Sequence, residues 1–332
     1  MKSLDELILL GKVLGSQPDL VQGGGGNVSV KEKDILYIKS SGCILSEINQ
    51  DRGYSQVSLE KVKNILVQIK DIRNEDFGEA LHSALSKPGL RPSMETPFHA
   101  LISARLVVHI HPVQVLALVS RPNAQVRISN LFPDAIFMEY VSPGKALAMK
   151  FIEQTPDAKL YFLKNHGLIV AGENAKEILG TIENVLMICA QELKQKTIKI
   201  PFYQIISCFK EALNTYISVY HNPAFNNNLN YFPVCPDDVV YIGKQILKTE
   251  KLEPESLVEF SQKNGHLPRV LFYQGQTFFL GENIISARQV YEQYLGNIQA
   301  RSYAPDLLPL PDEEVEFLSN WEAEKYRQKI KR

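Results

Sequence analysis

The chain has 332 residues, 45% of them hydrophobic and 22% charged, the composition of an ordinary soluble globular protein with length for roughly two domains. Lys plus Arg number 36 against 37 Asp plus Glu, so the bulk charge favours neither nucleic acid nor an anionic membrane as a partner. The opening MKSLDELILLGKVLG is too acidic and too briefly apolar for a signal peptide, and Cys43, Cys189, Cys208 and Cys235 lack CxxC spacing, which predicts a cytoplasmic protein without disulfides or a thiolate metal site.

Leu4, Leu7, Ile8 and Leu14 have helical spacing, so residues 3–15 read as an opening amphipathic helix. The glycine run Gly23 to Gly26 leads into Asn27-Val28-Ser29-Val30, which alternates as a strand does. A turn at Lys33-Asp34 and a second strand over Ile35 to Ile38 make a hairpin that runs into Ser40-Ser41-Gly42. Residues 58–70 and 75–86 read as helices, and Pro92-Ser93 opens a short helix through Ala104 with Ser93 as its N-cap. Leu106 to His111 is a buried strand stopped by Pro112, followed by a helix over 113–120. Leu160 to Val170 is apolar, interrupted by Lys164-Asn165-His166-Gly167, and a long helix covers about 174–196.

The prolines and the run Asn226-Asn227-Asn228 put a domain boundary near 225–235, between a domain over 1–225 and a smaller α/β extension over 235–332. Beyond it the pattern gives a strand over Val239 to Ile242, a helix over 254–263, a hairpin over 269–280 and a helix over 283–300. A charged helix over 312–331 follows, with Trp321 as its packing anchor. A faint repeat links the two parts. The stretch from Tyr161 through His166-Gly167 to Gly172-Glu173-Asn174 aligns without gaps to that from Val270 through Gly275-Gln276 to Gly281-Glu282-Asn283, so Gly275 takes the place of His166.

His109 and His111 are the sharpest chemical signal. Residues i and i+2 of a strand share a face, so both imidazoles can converge on one ion, and an otherwise hydrophobic strand has no packing reason to carry them. A catalytic site needs a third ligand and an open position. His166, between two apolar strands and followed by a glycine, suits this best on context; His82, His99, His221 and His266 compete for the role. Glu95 is the nearest acid upstream and could serve as general base or fourth ligand, or be a first-turn acid favoured by the helix dipole; His99, one turn on, could orient it or face the core. Gly23 to Gly26 with Asn27 and Ser29, and Ser40-Ser41-Gly42 with Ser93, offer donors to an anion. The glycines precede a strand and lack Gly-Lys-Ser/Thr, so this is neither a Walker A loop nor a dinucleotide fingerprint.

In order, Gly-Gly-Asn27-Val28-Ser29-Val30, Ser40-Ser41-Gly42, Pro92-Ser93-x-Glu95 with His99, His109-x-His111-Pro112 and Asn165-His166-Gly167-Leu168 resemble the class II aldolase/adducin family over roughly residues 5–195. The stretch Arg91 to His99 and the C-terminal extension look closest to the aldolase part of rhamnulose-phosphate aldolase/dehydrogenase fusions. The resemblance implies an α/β fold with a central, mainly antiparallel sheet flanked by helices. It implies zinc, or another divalent transition metal, on His109, His111 and His166, with Glu95 as the proton-exchanging acid. Asn27, Ser41, Gly42 and Ser93 would correspond to the substrate-phosphate pocket, with Met94 where several members carry a second serine. The implied reaction is retro-aldol cleavage of a ketose 1-phosphate of the rhamnulose or fuculose type through a metal-stabilised enediolate, with a tyrosine, here Tyr140, handling the proton on the departing aldehyde oxygen. A homotetramer is implied as well. Epimerases and dehydratases share the metal site, and adducin is a family member without it.

Overall fold

Ser3–Gly15 forms the first helix, α1. It is buried almost all round rather than along one stripe: Glu6 and Lys12 are nearly as covered as Leu7, Ile8 and Leu10, and burial lowers the Lys12 pKa to about 8. The computed structural model describes residues 3–22, 24–154, 157–194, 201–222, 231–303 and 308–320, and these fall into two units, Met1–Ile200 and Pro201–Arg332.

In the first unit, β1 (Asn27–Glu32) and β2 (Ile35–Lys39) form the expected hairpin, with Lys33 at φ 55° in its turn. A third strand, β3 (Tyr54–Ser58), pairs with β2, and Ser58 at its end caps α2 (Leu59–Val67) by accepting the Lys61 N–H at 3.3 Å. Then come α3 (Phe77–Ser83), α4 (Thr96–Leu101) and β4 (Leu106–Ile110). The helix expected from Pro92 to Ala104 is thus shorter and starts later. Ser93 is not its N-cap: Glu95 holds that place, and Ser93 sits in the approach, where its carbonyl accepts the Thr96 hydroxyl at 2.6 Å.

After β4 run α5 (Val113–Val119), α6 (Ala124–Leu131), β5 (Ile136–Met138), α7 (Lys145–Gln154), β6 (Leu160–Leu163), β7 (Gly167–Gly172) and α8 (Ala175–Glu192). The seven strands lie in the order β3-β2-β1-β4-β7-β6-β5, antiparallel except for β5 with β6. This is the mainly antiparallel sheet expected, and β4 and β7 at its centre are buried along their whole length.

The second unit contains α9 (Phe202–Leu213), β8 (Ser218–Tyr220), α10 (Pro236–Tyr241), β9 (Leu247–Thr249), α11 (Pro254–Asn264), β10 (Val270–Tyr273), β11 (Gln276–Gly281), α12 (Ile284–Tyr303) and α13 (Asp312–Asn320). It begins earlier than the stretch near 225–235, because β8 pairs with β11 and belongs to the second sheet. The strand expected over Val239 to Ile242 is helix. Pro236 opens α10, and the buried Asp238 carboxylate accepts the Val234 N–H at 2.8 Å and the Cys235 N–H at 3.3 Å, a capping arrangement that outweighs the β-branched valines. Trp321 and Asn226 to Asn228 lie outside the described residues.

The order of the second sheet, β8-β11-β10-β9, has the pairing senses of β4-β7-β6-β5: two antiparallel pairs, then a parallel one. The shared Gly-Glu-Asn has one physical role in both places. Asn174 Oδ1 accepts the Glu177 N–H at 3.0 Å to start α8, and Asn283 Oδ1 accepts the Ser286 N–H at 2.9 Å to start α12. The hairpins differ by one residue of register: Leu163 faces Gly167 across Lys164-Asn165-His166, whereas Tyr273 faces Gln276 across Gln274-Gly275. Leu106 pairs with Gly172 as Ser218 pairs with Gly281, so His221, three residues on, stands where His109 stands. There it is a buried core ring stacked on Phe278 at 5.1 Å.

Candidate metal centre

His109 projects from β4 at the middle of the sheet and is fully buried. His111 lies one residue past the strand end, where its backbone N–H donates to Leu20 O at 2.9 Å. His166 closes the β6–β7 turn, which needs Asn165 at φ 54°. Gly167 lets that turn come in close: a Cβ there would lie 2.5 Å from Ile110 O and 2.9 Å from His111 Cδ2. Gly167→Ala should therefore push His111 off its position and weaken metal binding at least about tenfold, comparable to the loss of a strong supporting contact. A chelator-competition titration giving an unchanged affinity would contradict this.

The three ligand atoms lie within 4.8 Å of one another, with His109 Nε2 3.0 Å from His111 Nε2 and 3.3 Å from His166 Nε2. Two tetrahedral nitrogen ligands at about 2.0–2.1 Å from zinc stand about 3.3 Å apart, so the two spacings from His109 fit such an ion. A proton on His109 Nδ1 donated to Leu168 O, 3.1 Å away, leaves the Nε2 lone pair facing the cluster. Burial lowers the His109 pKa to about 3 and the His166 pKa to about 4, and also lowers that of His111, so all three imidazoles are neutral and able to ligate near pH 7.

Glu95 Oε1 approaches His166 Nε2 to 3.4 Å and His109 Nε2 to 3.6 Å, and its Oε2 accepts the Asn27 amide at 2.6 Å. Burial raises the Glu95 pKa, with the His166 and Asn27 contacts opposing the rise. Of the competing histidines, His99 is buried against Ser29, 2.7 Å away, and His82, His221 and His266 lie outside the metal-ligand group found among the described residues.

The expected phosphate-pocket residues come together only in part. A bridge between Ser40 and Pro92 and the Ser41 N–H on Arg91 O at 2.8 Å place Ser41 and Gly42 beside the Ser93 segment, Ser41 and Gly42 exposed and Ser93 buried. The Ser41 amide is therefore taken, and the Ser93 hydroxyl accepts the Glu95 N–H at 3.2 Å. Asn27 turns its amide to Glu95, while its Oδ1 is buried without a partner among the described residues. Met94 packs into the apolar layer with Leu81 and Ala100 and adds no donor. Lys39 was not singled out in the sequence. It is buried beside this pocket, donating to Gly24 O at 3.0 Å, and its pKa is lowered by burial against the pull of Cys43 and Glu95. A lysine closing an apolar strand just before Ser40-Ser41-Gly42 was the available signal. Tyr140 is 56% exposed, two residues past the end of β5, and has no hydrogen bond to the histidines among the described residues.

The family model for the class II aldolase and adducin N-terminal domain matches residues 5–193, the unit that carries all three histidines. The chain belongs to this family. Among similar proteins, an uncharacterized oxidoreductase, YuxG, of Bacillus subtilis (strain 168) is 26% identical over 189 residues, 53% of this chain but only 27% of that protein. The L-fuculose phosphate aldolase of Methanocaldococcus jannaschii is 27% identical over 166 residues, 46% of this chain and 76% of the relative. The solved N-terminal class II aldolase domain of a conserved Thermoplasma acidophilum protein superposes with a TM-score of 0.53 at 26% identity, covering 58% of this chain and 94% of that one. The first unit thus has the class II aldolase fold. Among the described residues no helix is long and apolar enough to cross a membrane.

Ion-free protein should lose stability as the pH falls from about 6.5 towards 4. His109, His166 and His99 all have folded pKa values lowered by burial, so below the unfolded value of 6.5 the unfolded chain binds more protons than the folded one. Their contribution is complete above 6.5 and drains as the folded values are approached; Glu95, with its raised pKa, opposes this as a single group. Melting temperatures of chelator-treated protein between pH 7 and 4.5 that stay level would contradict the assignment of neutral buried imidazoles.

Proposed function

We propose that the chain is a zinc-dependent lyase that cleaves a ketose 1-phosphate of the fuculose or rhamnulose type by a retro-aldol reaction. One observation carries the reading: three neutral imidazoles converge at ligand spacing beside a mostly covered carboxylate. A divalent ion on His109, His111 and His166, when bound, supplies Lewis-acid stabilisation of negative charge on the substrate's carbonyl and adjacent hydroxyl oxygens.

The chain's own groups supply the rest. Glu95 stands against the ligand atoms with one oxygen and is held by Asn27 through the other, so it can return a proton to the carbon that keeps the bonding pair when the carbon–carbon bond breaks. Its raised pKa suits a group that must hold that proton before giving it up. Ser41, Gly42, Ser93 and Asn27 are proposed to receive the phosphate, with the Lys39 ammonium supplying positive charge behind them. Tyr140, an exposed side chain, is proposed to take up the proton of the departing hydroxyl as it becomes the aldehyde. A cytoplasmic homo-oligomer accompanies this reading by family likeness.

The test is product analysis by mass on a panel of ketose 1-phosphates with added zinc. A triose phosphate and an aldehyde are expected. An isomer of unchanged mass, or a product lighter by water, would replace cleavage with epimerisation or dehydration on the same site, and no product with any of the panel would overturn the sugar-phosphate reading.

A further inference from the structure

His99 takes no part in the chemistry above, yet it is fully buried beneath the cluster and stacks on Phe98, whose ring meets His109 edge-on at 5.7 Å. Its Nδ1 lies 2.7 Å from Ser29 Oγ, and its Nε2 is buried with no hydrogen-bond partner among the described residues. This pair is the middle rung of a side-chain ladder between β1 and the α4 segment. Asn27 holds Glu95, Ser29 holds His99, and Lys31 reaches over the end of α4 to the carbonyls of Ile102 and Ala104, the latter at 2.8 Å.

The spacing is what such a ladder requires. Alternate strand residues repeat every ~6.6–6.8 Å on one face, and helix residues four apart rise ~6 Å, so positions 27 and 29 match positions 95 and 99. β1 is also the strand that pairs with β4, with Asn27 directly opposite His109. One strand therefore locates both the metal ligand and the segment that carries Glu95. The Asn27–Glu95 contact fixes the carboxylate itself, whereas the rung beneath it fixes the helix on which the carboxylate is mounted.

We propose that Ser29 and His99 are a positioning pair that sets how closely Glu95 approaches the ion, by seating α4 on β1. The pair acts through Glu95 and touches no substrate. His99 is suited to the part because burial keeps it neutral, so one nitrogen can hold Ser29 without carrying a second positive charge into the centre. The inference rests on the metal-centre reading above, but its test does not depend on turnover.

The experiment compares four proteins: the unsubstituted chain, Ser29→Ala, Glu95→Gln and the double variant. Zinc affinity is read by chelator competition, and the visible spectrum of the cobalt(II)-loaded form reports the ion's surroundings. Ser29→Ala should weaken zinc about tenfold when Glu95 is present and less than about twofold when it is already glutamine, because the effect passes through that carboxylate. The cobalt spectrum of Ser29→Ala should move towards that of Glu95→Gln. An equal weakening in both backgrounds would make the pair a support of the histidines or of the fold at large, and overturn the proposal. No weakening in either background would overturn it as well. Should Ser29→Ala fail to fold, His99→Phe keeps an aromatic ring of similar volume and carries the same comparison. Zinc binding absent from the unsubstituted protein would sink the centre and this pair together, whereas absent sugar-phosphate cleavage would sink only the proposed function.

Discussion

Glu95→Gln is expected to lower kcat by about 10²–10⁴-fold, the usual loss when a general acid–base group is removed, while the protein still fills with zinc at saturating metal. The amide is nearly isosteric with the carboxyl, so the neighbours that hold residue 95 keep their places. Asn27 can still bond to the amide oxygen, and the Ser93 hydroxyl still accepts the residue 95 backbone N–H. What disappears is a group that can take up and return a proton next to the histidines. KM should change far less than kcat, because the proposed phosphate contacts do not involve this side chain. Steady-state kinetics with metal content measured on the same samples checks the claim. Turnover unchanged within a factor of two would reduce Glu95 to the N-cap of α4, the structural role that its sequence position also allows.

What the sequence made legible follows from how local each cause is. The His-x-His pair was readable because strand periodicity puts both rings on one side, and the Asn165-His166-Gly167 turn because only a residue without Cβ fits against Ile110 O. The β1–β2 hairpin, β4 and the β10–β11 hairpin likewise announced themselves by alternating or unbroken apolar runs. The strands that escaped notice, β3, β5, β8 and β9, are those whose stability is borrowed. Tyr54 to Ser58 alternates polar residues and becomes β3 by pairing with β2; Ser218 to Tyr220 becomes β8 by lying against β11. Val239 to Ile242 read as strand from its valines, but the Asp238 cap decided for helix. In the same way, no spacing rule could show that Asn27 would spend its amide on Glu95, or that Ser29 would meet His99 across 70 positions of chain, since both contacts exist only once β1 and α4 are packed. Lys39 was missed because a lysine at a strand end ordinarily faces water, and its burial is a tertiary fact.

His166→Ala is the second substitution expected to have a very large effect. The three ligands differ in how much of the fold each supports. His109 sits in β4, the middle strand of the sheet, with no exposed surface, so its removal opens a cavity in the sheet core and confounds metal loss with unfolding. His166 ends a turn, keeps 15% side-chain exposure, and its backbone N–H bonds to Leu163 O whatever its side chain. Truncation there should leave the chelator-treated protein melting within a few degrees of the unsubstituted one. It removes one of three nitrogen donors, and even supporting residues around a metal commonly cost about 10–100-fold in affinity, so a direct ligand should cost at least about 10²-fold. Turnover at limiting zinc should fall to background. The decisive reading is thermal: zinc bound to the folded state raises the melting temperature of the unsubstituted chain, and at the same free zinc it should raise that of His166→Ala little or not at all. Glu95, 3.6 Å from His109 Nε2, could replace the missing donor at high zinc, which would appear as partial recovery of binding without recovery of catalysis, because the carboxylate would then be held by the ion and lost as a proton carrier. Zinc bound as tightly by His166→Ala as by the unsubstituted protein would remove this histidine from the centre.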